Sequence, residues 1–79
     1  MTVVTRNWRG GGGELDLVLL DGETFVFAEV KLRSDLTEAV AAVDSFKVDR
    51  LFRAAQQFLR DGGLAPEVVR FDIIAVDPA

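Results

Sequence analysis

Two runs of strand-forming residues meet at a single dipeptide in this chain. Glu14-Leu15-Asp16-Leu17-Val18-Leu19-Leu20 precedes Asp21-Gly22, and Thr24-Phe25-Val26-Phe27-Ala28-Glu29-Val30-Lys31-Leu32 follows it. Asp-Gly between two such runs is the strongest short-range signal for a β-hairpin, so the middle of the chain is committed to an antiparallel pair. With Asp21-Gly22 as the two-residue turn, Leu20 faces Glu23 and Glu14 faces Glu29. Opposed residues share a face, and side chains alternate along each strand. One face then carries Glu14, Asp16, Val18 and Leu20 with Glu23, Phe25, Phe27, Glu29 and Lys31. The other holds Leu15, Leu17 and Leu19 with Val26, Ala28, Val30 and Leu32, and its uniform apolarity demands a cover. A slip of one residue would send Glu29 to the face opposite Glu14 and Asp16 and dissolve the acidic grouping.

The remaining elements follow from periodicity. Residues 2 to 8, rich in Val, Thr and Trp, read as a first strand, and Gly10 to Gly13 read as a flexible loop. The stretch 34 to 43 fits several states and is left unassigned. From Asp44, a plausible cap, residues 45 to 61 read as a helix with Leu51, Ala54, Ala55, Phe58 and Leu59 on one face, expected to cover Leu15, Leu17 and Leu19. Gly62-Gly63 stops the helix, and Val68 to Val76 form a last strand. The order β, β, β, α, β defines an α/β protein, and residues 1–79 read as a single domain. A chain of this size buries only about 60% of its unfolded surface, so its stability is expected to be marginal. No apolar run reaches the roughly 20 residues of a membrane span, and the first residues do not form a secretory leader, which makes the cytoplasm the expected location.

What the chain lacks narrows its chemistry. There is no cysteine and no histidine. Disulfides, thiolate zinc sites, Ser-His-Asp and Cys-His nucleophiles and histidine bases are all excluded, leaving carboxylates, lysine, arginine and hydroxyls. Glu14, Asp16 and Glu29 would lie within about 5 to 8 Å of one another, and each close pair repels by roughly 3 kcal/mol at an effective dielectric near 20. Lys31 offsets part of that. A hard divalent cation would turn the repulsion into binding: Mg²⁺ or Mn²⁺ held by Asp16 and Glu29, with Glu14 as a further candidate ligand, could activate a water against a phosphodiester while Lys31 steadies the developing charge. The plainer alternative is that this end of the hairpin protrudes and its acids are solvated. The net charge of −4 argues mildly against a nucleic-acid partner, although seven of the nine basic residues are Arg.

Several segments together resemble a known family. Arg6-Asn7-Trp8-Arg9, Gly13-Glu14-Leu15-Asp16-Leu17, Phe27-Ala28-Glu29-Val30-Lys31-Leu32-Arg33, Ala42-Val43 with Lys47, Leu51 and Ala54, and Arg70-Phe71-Asp72 occur in the order found in the YraN family of bacterial proteins. That family is similar to archaeal Holliday-junction resolvases within the PD-(D/E)XK nuclease superfamily. The resemblance implies a restriction-endonuclease-like mixed sheet flanked by helix, with Asp16 as the motif's Asp, Glu29 as its acid and Lys31 as its Lys. It also implies DNA as the partner, with branched DNA as a candidate form. Two departures stand out: the N-terminal helix with a Gly-Glu pair usual in the family is absent from this sequence, and residues 34 to 41 lack the usual Gly- and Pro-containing pattern.

Arg6 and Arg9 flank Trp8 beside the acidic end and, with Lys47, are the candidates for nucleic-acid contacts. Surface charge around a half-buried Trp accounts for the first two equally well. Lys47, Arg50, Arg53 and Arg60 avoid the apolar face of the helix and, diluted by Asp49 and Asp61, read as a solvated surface. Arg70 and Asp72 alternate on the last strand as a structural ion pair would. The expected function is metal-dependent phosphodiester hydrolysis on DNA. The alternatives are a nucleic-acid-binding module of the same fold that does not cleave, and an interaction domain that forms a homodimer through Val18, Leu20, Phe25 and Phe27, which the single helix would leave uncovered.

Overall fold

A computed structural model of the chain describes residues 1–32 and 45–77, with side chains of the second stretch described from residue 48 onward. The described elements run β1 (Thr2–Gly10), β2 (Gly13–Asp21), β3 (Thr24–Leu32), α1 (Ser45–Asp61) and β4 (Val69–Val76). One sheet contains the strands in the spatial order β1-β2-β3-β4. The first three are antiparallel neighbours, whereas β4 runs parallel to β3. A tight turn can join antiparallel strands, but a parallel neighbour needs a long crossover, and the segment containing α1 provides it. This is the mixed α/β order expected, and α1 has the bounds read from its periodicity. The unassigned stretch 34–43 and the proposed cap Asp44 lie outside the described residues. Among the described residues no helix is long and apolar enough to cross a membrane.

The β2–β3 hairpin turns one residue later than Asp21-Gly22 suggests. Asp21 pairs with Thr24, so the central turn residues are Gly22 and Glu23, and Leu20 faces Phe25 rather than Glu23. Gly22 has φ 62° and Glu23 is not in the left-handed region, the pattern of a turn that needs glycine at its first central position. Using Asp21 there would force a residue with a Cβ into that region. The correction moves every cross-strand partner by two, and two is the pleat period. The assigned faces of Val18, Leu20, Phe25, Phe27, Glu29 and Lys31 therefore survive while the pairings change.

Gly10 to Gly13, expected as a flexible loop, instead close the β1–β2 hairpin. Gly10 pairs with Gly13 around Gly11 and Gly12, which have φ 62° and 84°. The turn lies against α1: a Cβ on Gly11 would stand 2.6 Å from the Arg53 carbonyl oxygen, and one on Gly13 would stand 2.6 Å from that of Arg50. Four glycines in a row thus serve a tight turn and a close backbone contact.

The helix covers the face opposite to the one expected. Ala54 and Ala55 of α1 share a core with Val18, Phe27 and Leu15, all at most 3% exposed. Phe58 lies edge-on to Trp8, Phe25 and Phe27, with ring centroids 5.5, 6.3 and 6.0 Å away. Aromatic rings bring the largest apolar areas, and clustering them around one helical Phe outweighs covering the leucine face. Val18 and Phe27, the centre of the patch expected to drive dimerisation, are buried within this chain. Leu15 and Val18 reach the same core although they are three positions apart, so the alternation of β2 breaks once between them. The break lies across from Asn7, whose φ of 50° departs from extended backbone. At its end α1 closes with Leu64 N–H donating to the Leu59 carbonyl at 2.8 Å and Gly63 N–H to that of Arg60 at 3.0 Å, the paired bonds of a Schellman motif.

Candidate functional site

The β2–β3 ladder ends at Leu17 and Ala28, and the next step is made by a side chain. Asp16 accepts a hydrogen bond from the Val30 N–H at 2.9 Å through Oδ2. A carboxylate thus takes the place of a main-chain acceptor at the fork between the strands, and the fork fixes its orientation. Glu29 and Lys31 flank Val30 on β3, two residues apart and on one face. The Lys31 Nζ lies 3.1 Å from Glu29 Oε1, with both side chains about two-thirds buried (27% and 33% exposed).

Asp16 and Glu29 open onto a cavity of about 170 Å³. Gly13, Glu14, Asp16 and Glu29 line it from the sheet, and Arg50 and Leu51 line it from α1. Asp16, Glu29 and Glu14 are therefore brought together as expected, but they do not form a three-carboxylate cluster. Among the described residues no three acidic side chains converge as a metal site would require. The shifted register removes Glu14 from its expected place opposite Glu29, and Glu14 instead pairs with Arg9, its cross-strand neighbour, at 3.7 Å. The expected repulsion is answered locally: Glu14 by Arg9, Glu29 by Lys31, and Asp16 by a backbone donor. The Arg9–Glu14 pair is solvent-exposed and contributes at most about 1 kcal/mol.

Hard oxygen donors suit Mg²⁺ or Mn²⁺, and Mg²⁺ commonly binds through one or two carboxylates while keeping several waters. Asp16 keeps Oδ1 clear of the Val30 bond, and Glu29 keeps Oε2 clear of Lys31. Two carboxylates beside a cavity with room for several waters fit such an ion.

The other sequence-derived candidates fall in different places. Arg6 is exposed on β1 and does not line the cavity, while the side chain of Lys47 lies outside the described residues. Arg70 and Asp72 form the expected ion pair, with Nη2 to Oδ2 at 2.8 Å and Nε to Oδ1 at 3.0 Å. Asp21 adds a third charge 3.7 Å from Arg70, at the turn end of the hairpin. Hydrogen bonding to Arg70 lowers the Asp72 pKa below its ordinary value, and the same contact raises that of Arg70. Arg50 is the residue that sequence reasoning missed, because helical periodicity says only that it avoids the apolar face.

Relatives of the chain share nearly its whole length. It is 46% identical over 79 residues to a UPF0102 protein of Streptomyces griseus, 47% over 78 residues to one of Beutenbergia cavernae, and 42% over 78 residues to one of a Nocardioides species. Each alignment takes in 96% of this chain, which in turn spans 66%, 66% and 63% of those proteins. With a family profile also matching residues 1–76, the chain belongs to the uncharacterised protein family UPF0102, as the YraN resemblance led one to expect.

Proposed function

We propose that this domain hydrolyses phosphodiesters in DNA with a divalent cation, Mg²⁺ or Mn²⁺, held by Asp16 and Glu29. The observation that supports this best is the strand fork: the Val30 N–H orients Asp16, and Val30 is the residue between Glu29 and Lys31. Acid, acid and ammonium are thereby gathered at one backbone position beside a cavity. When bound, the ion supplies a water of lowered pKa and polarises a phosphoryl oxygen. Lys31 carries three donors and no acceptor, so it serves the negative charge that grows on the phosphate oxygens as water adds to phosphorus and one P–O ester bond breaks. Glu29 holds the ammonium in place through its 3.1 Å contact.

A second reading, DNA binding without cleavage, is favoured by one observation: no three-carboxylate group occurs among the described residues. One experiment separates the two. The chain is incubated with end-labelled duplex and four-way DNA in Mg²⁺, in Mn²⁺ and in chelator, beside Asp16→Asn, Glu29→Gln and Lys31→Ala. Hydrolysis predicts metal-dependent cleavage that each substitution reduces at least about a hundredfold. Binding with no cleavage in either metal supports the second reading, and a preference for the four-way substrate would extend the resolvase likeness to substrate shape.

A further inference from the structure

Next to the carboxylate cavity lies a more open hollow of about 600 Å³, walled by Arg9, Gly10 and Gly12 together with Gly13, Glu14 and Arg50. Gly13, Glu14 and Arg50 line both spaces, so the two adjoin as a trough with Arg50 at their border. The glycine hairpin makes this possible. Its contacts with the helix backbone, Gly11 at Arg53 and Gly13 at Arg50, bring the hairpin and α1 together, and its missing side chains leave a low main-chain wall that a bulky anion can approach.

We infer that Arg50, with Arg9 on the β1 side of the trough, seats the phosphate adjacent to the one presented to Asp16 and Glu29, making Arg50 the substrate-positioning residue of the site. This rests on the phosphodiester reading above. Arginine offers a planar fork of donors matched to phosphate, and phosphate contacts are what set a nucleic acid in register on a protein. The charges around the trough explain why the seat needs such a group. Glu14, Asp16 and Glu29 offset Arg9, Arg50 and Lys31, so attraction for an anion must come from directed hydrogen bonds and from a bound cation more than from net charge.

The test is binding of a short fluorescein-labelled DNA duplex to the full chain in Ca²⁺, whose flexible coordination differs from the strict octahedron of Mg²⁺, at salt from about 50 to 200 mM. Arg50→Gln is expected to weaken binding about tenfold and to lower the slope of log affinity against log salt by about 0.9, the signature of one lost phosphate contact. Arg50→Lys should keep the slope, because it keeps the charge, and lose part of the affinity. A loss of packing alone would not change the slope. Unchanged affinity and slope in Arg50→Gln, at a wild-type melting temperature, overturn the inference. If that variant does not fold, unchanged affinity in Arg50→Lys overturns it instead. Binding that depends on Arg50 without any Mg²⁺- or Mn²⁺-driven cleavage removes hydrolysis and leaves the phosphate seat standing. Cleavage with affinity indifferent to Arg50 does the reverse, and an absence of salt-dependent binding by the wild type removes both.

Discussion

Adding one methyl group at Gly13 tests whether the glycine run is a packing device or a flexible loop. Gly13 is not in the left-handed region, so in open space alanine there would stabilise the fold by about 0.4–1 kcal/mol through a less mobile unfolded chain. Space is not open: the new Cβ would meet the Arg50 carbonyl oxygen at 2.6 Å, its carbon at 3.3 Å and the Ala54 Cβ at 3.4 Å. Both partners at the closest point are backbone and cannot rotate away, so the hairpin must retreat from α1 by about 0.8 Å to restore a 3.4 Å contact. That retreat loosens Leu15 and Trp8, which pack in the same core. Overpacking of this kind costs about 1–3 kcal/mol, and a domain of this size loses about 4–8 °C of melting temperature per kcal/mol. Gly12→Ala is the control, with nothing within 4 Å and only its φ of 84° to oppose alanine, a cost of about 1–2 kcal/mol. Gly11→Ala combines both penalties and should be the worst of the three. Thermal melts followed by circular dichroism and by the emission of Trp8, the single tryptophan, read the outcome. A higher melting temperature for Gly13→Ala would refute the close contact between hairpin and helix, and with it the geometry of the trough.

Three further outcomes follow from the same contacts. Mg²⁺ or Mn²⁺ at about a hundred times its dissociation constant should stabilise the fold by about 2.7 kcal/mol, and Asp16→Asn combined with Glu29→Gln should abolish the response in a melting titration, while the amide oxygen introduced by the first change still offers the Val30 N–H an acceptor. Phe58→Ala removes the ring that meets Trp8, Phe25 and Phe27 and should cost about 3 kcal/mol by urea denaturation, with half-exposed Phe52→Ala costing less. Because Arg70 lowers the Asp72 pKa in the folded state, the stability from that pair is present above the ordinary aspartate value of about 3.9 and is lost as pH falls through the folded value. The deficit of Asp72→Asn relative to wild type should therefore shrink on acidification, and a deficit that grows below pH 4 would contradict the pairing.

How much of this was legible in the residues depends on which interactions decide each feature. Strand and helix bounds follow local pattern, and the sequence reading of α1 and β3 coincides with the observed elements. The hairpin turn was misplaced by one residue because Asp-Gly and Gly-Glu both satisfy a two-residue turn, and the choice rests on which residue takes positive φ. The error left Glu29 and Lys31 on the face of Phe27 because a pairing shift of two preserves the pleat, and the Val30 N–H holds Asp16 beside them. The candidate residues could therefore be grouped from the pattern even while their partners were wrong.

The face covered by α1 was not legible, since both faces of the hairpin are apolar in the middle and only packing decides between them. The decision belongs to Phe58, which meets Trp8 from β1 and two rings from β3 at once, a convergence of residues up to 50 positions apart that no local window contains. Once the helix lies on the aromatic face it lies on the acidic face as well, because Phe27 and Glu29 point the same way. That placement turns a solvated hairpin end into a walled cavity and carries Arg50 to its lip. The distance at which Arg50 arrives is then set by Gly11 and Gly13, which let two backbones meet. A glycine run in β1–β2 and an arginine on α1 look unrelated along the chain, and become parts of one trough only because an aromatic cluster chose the face.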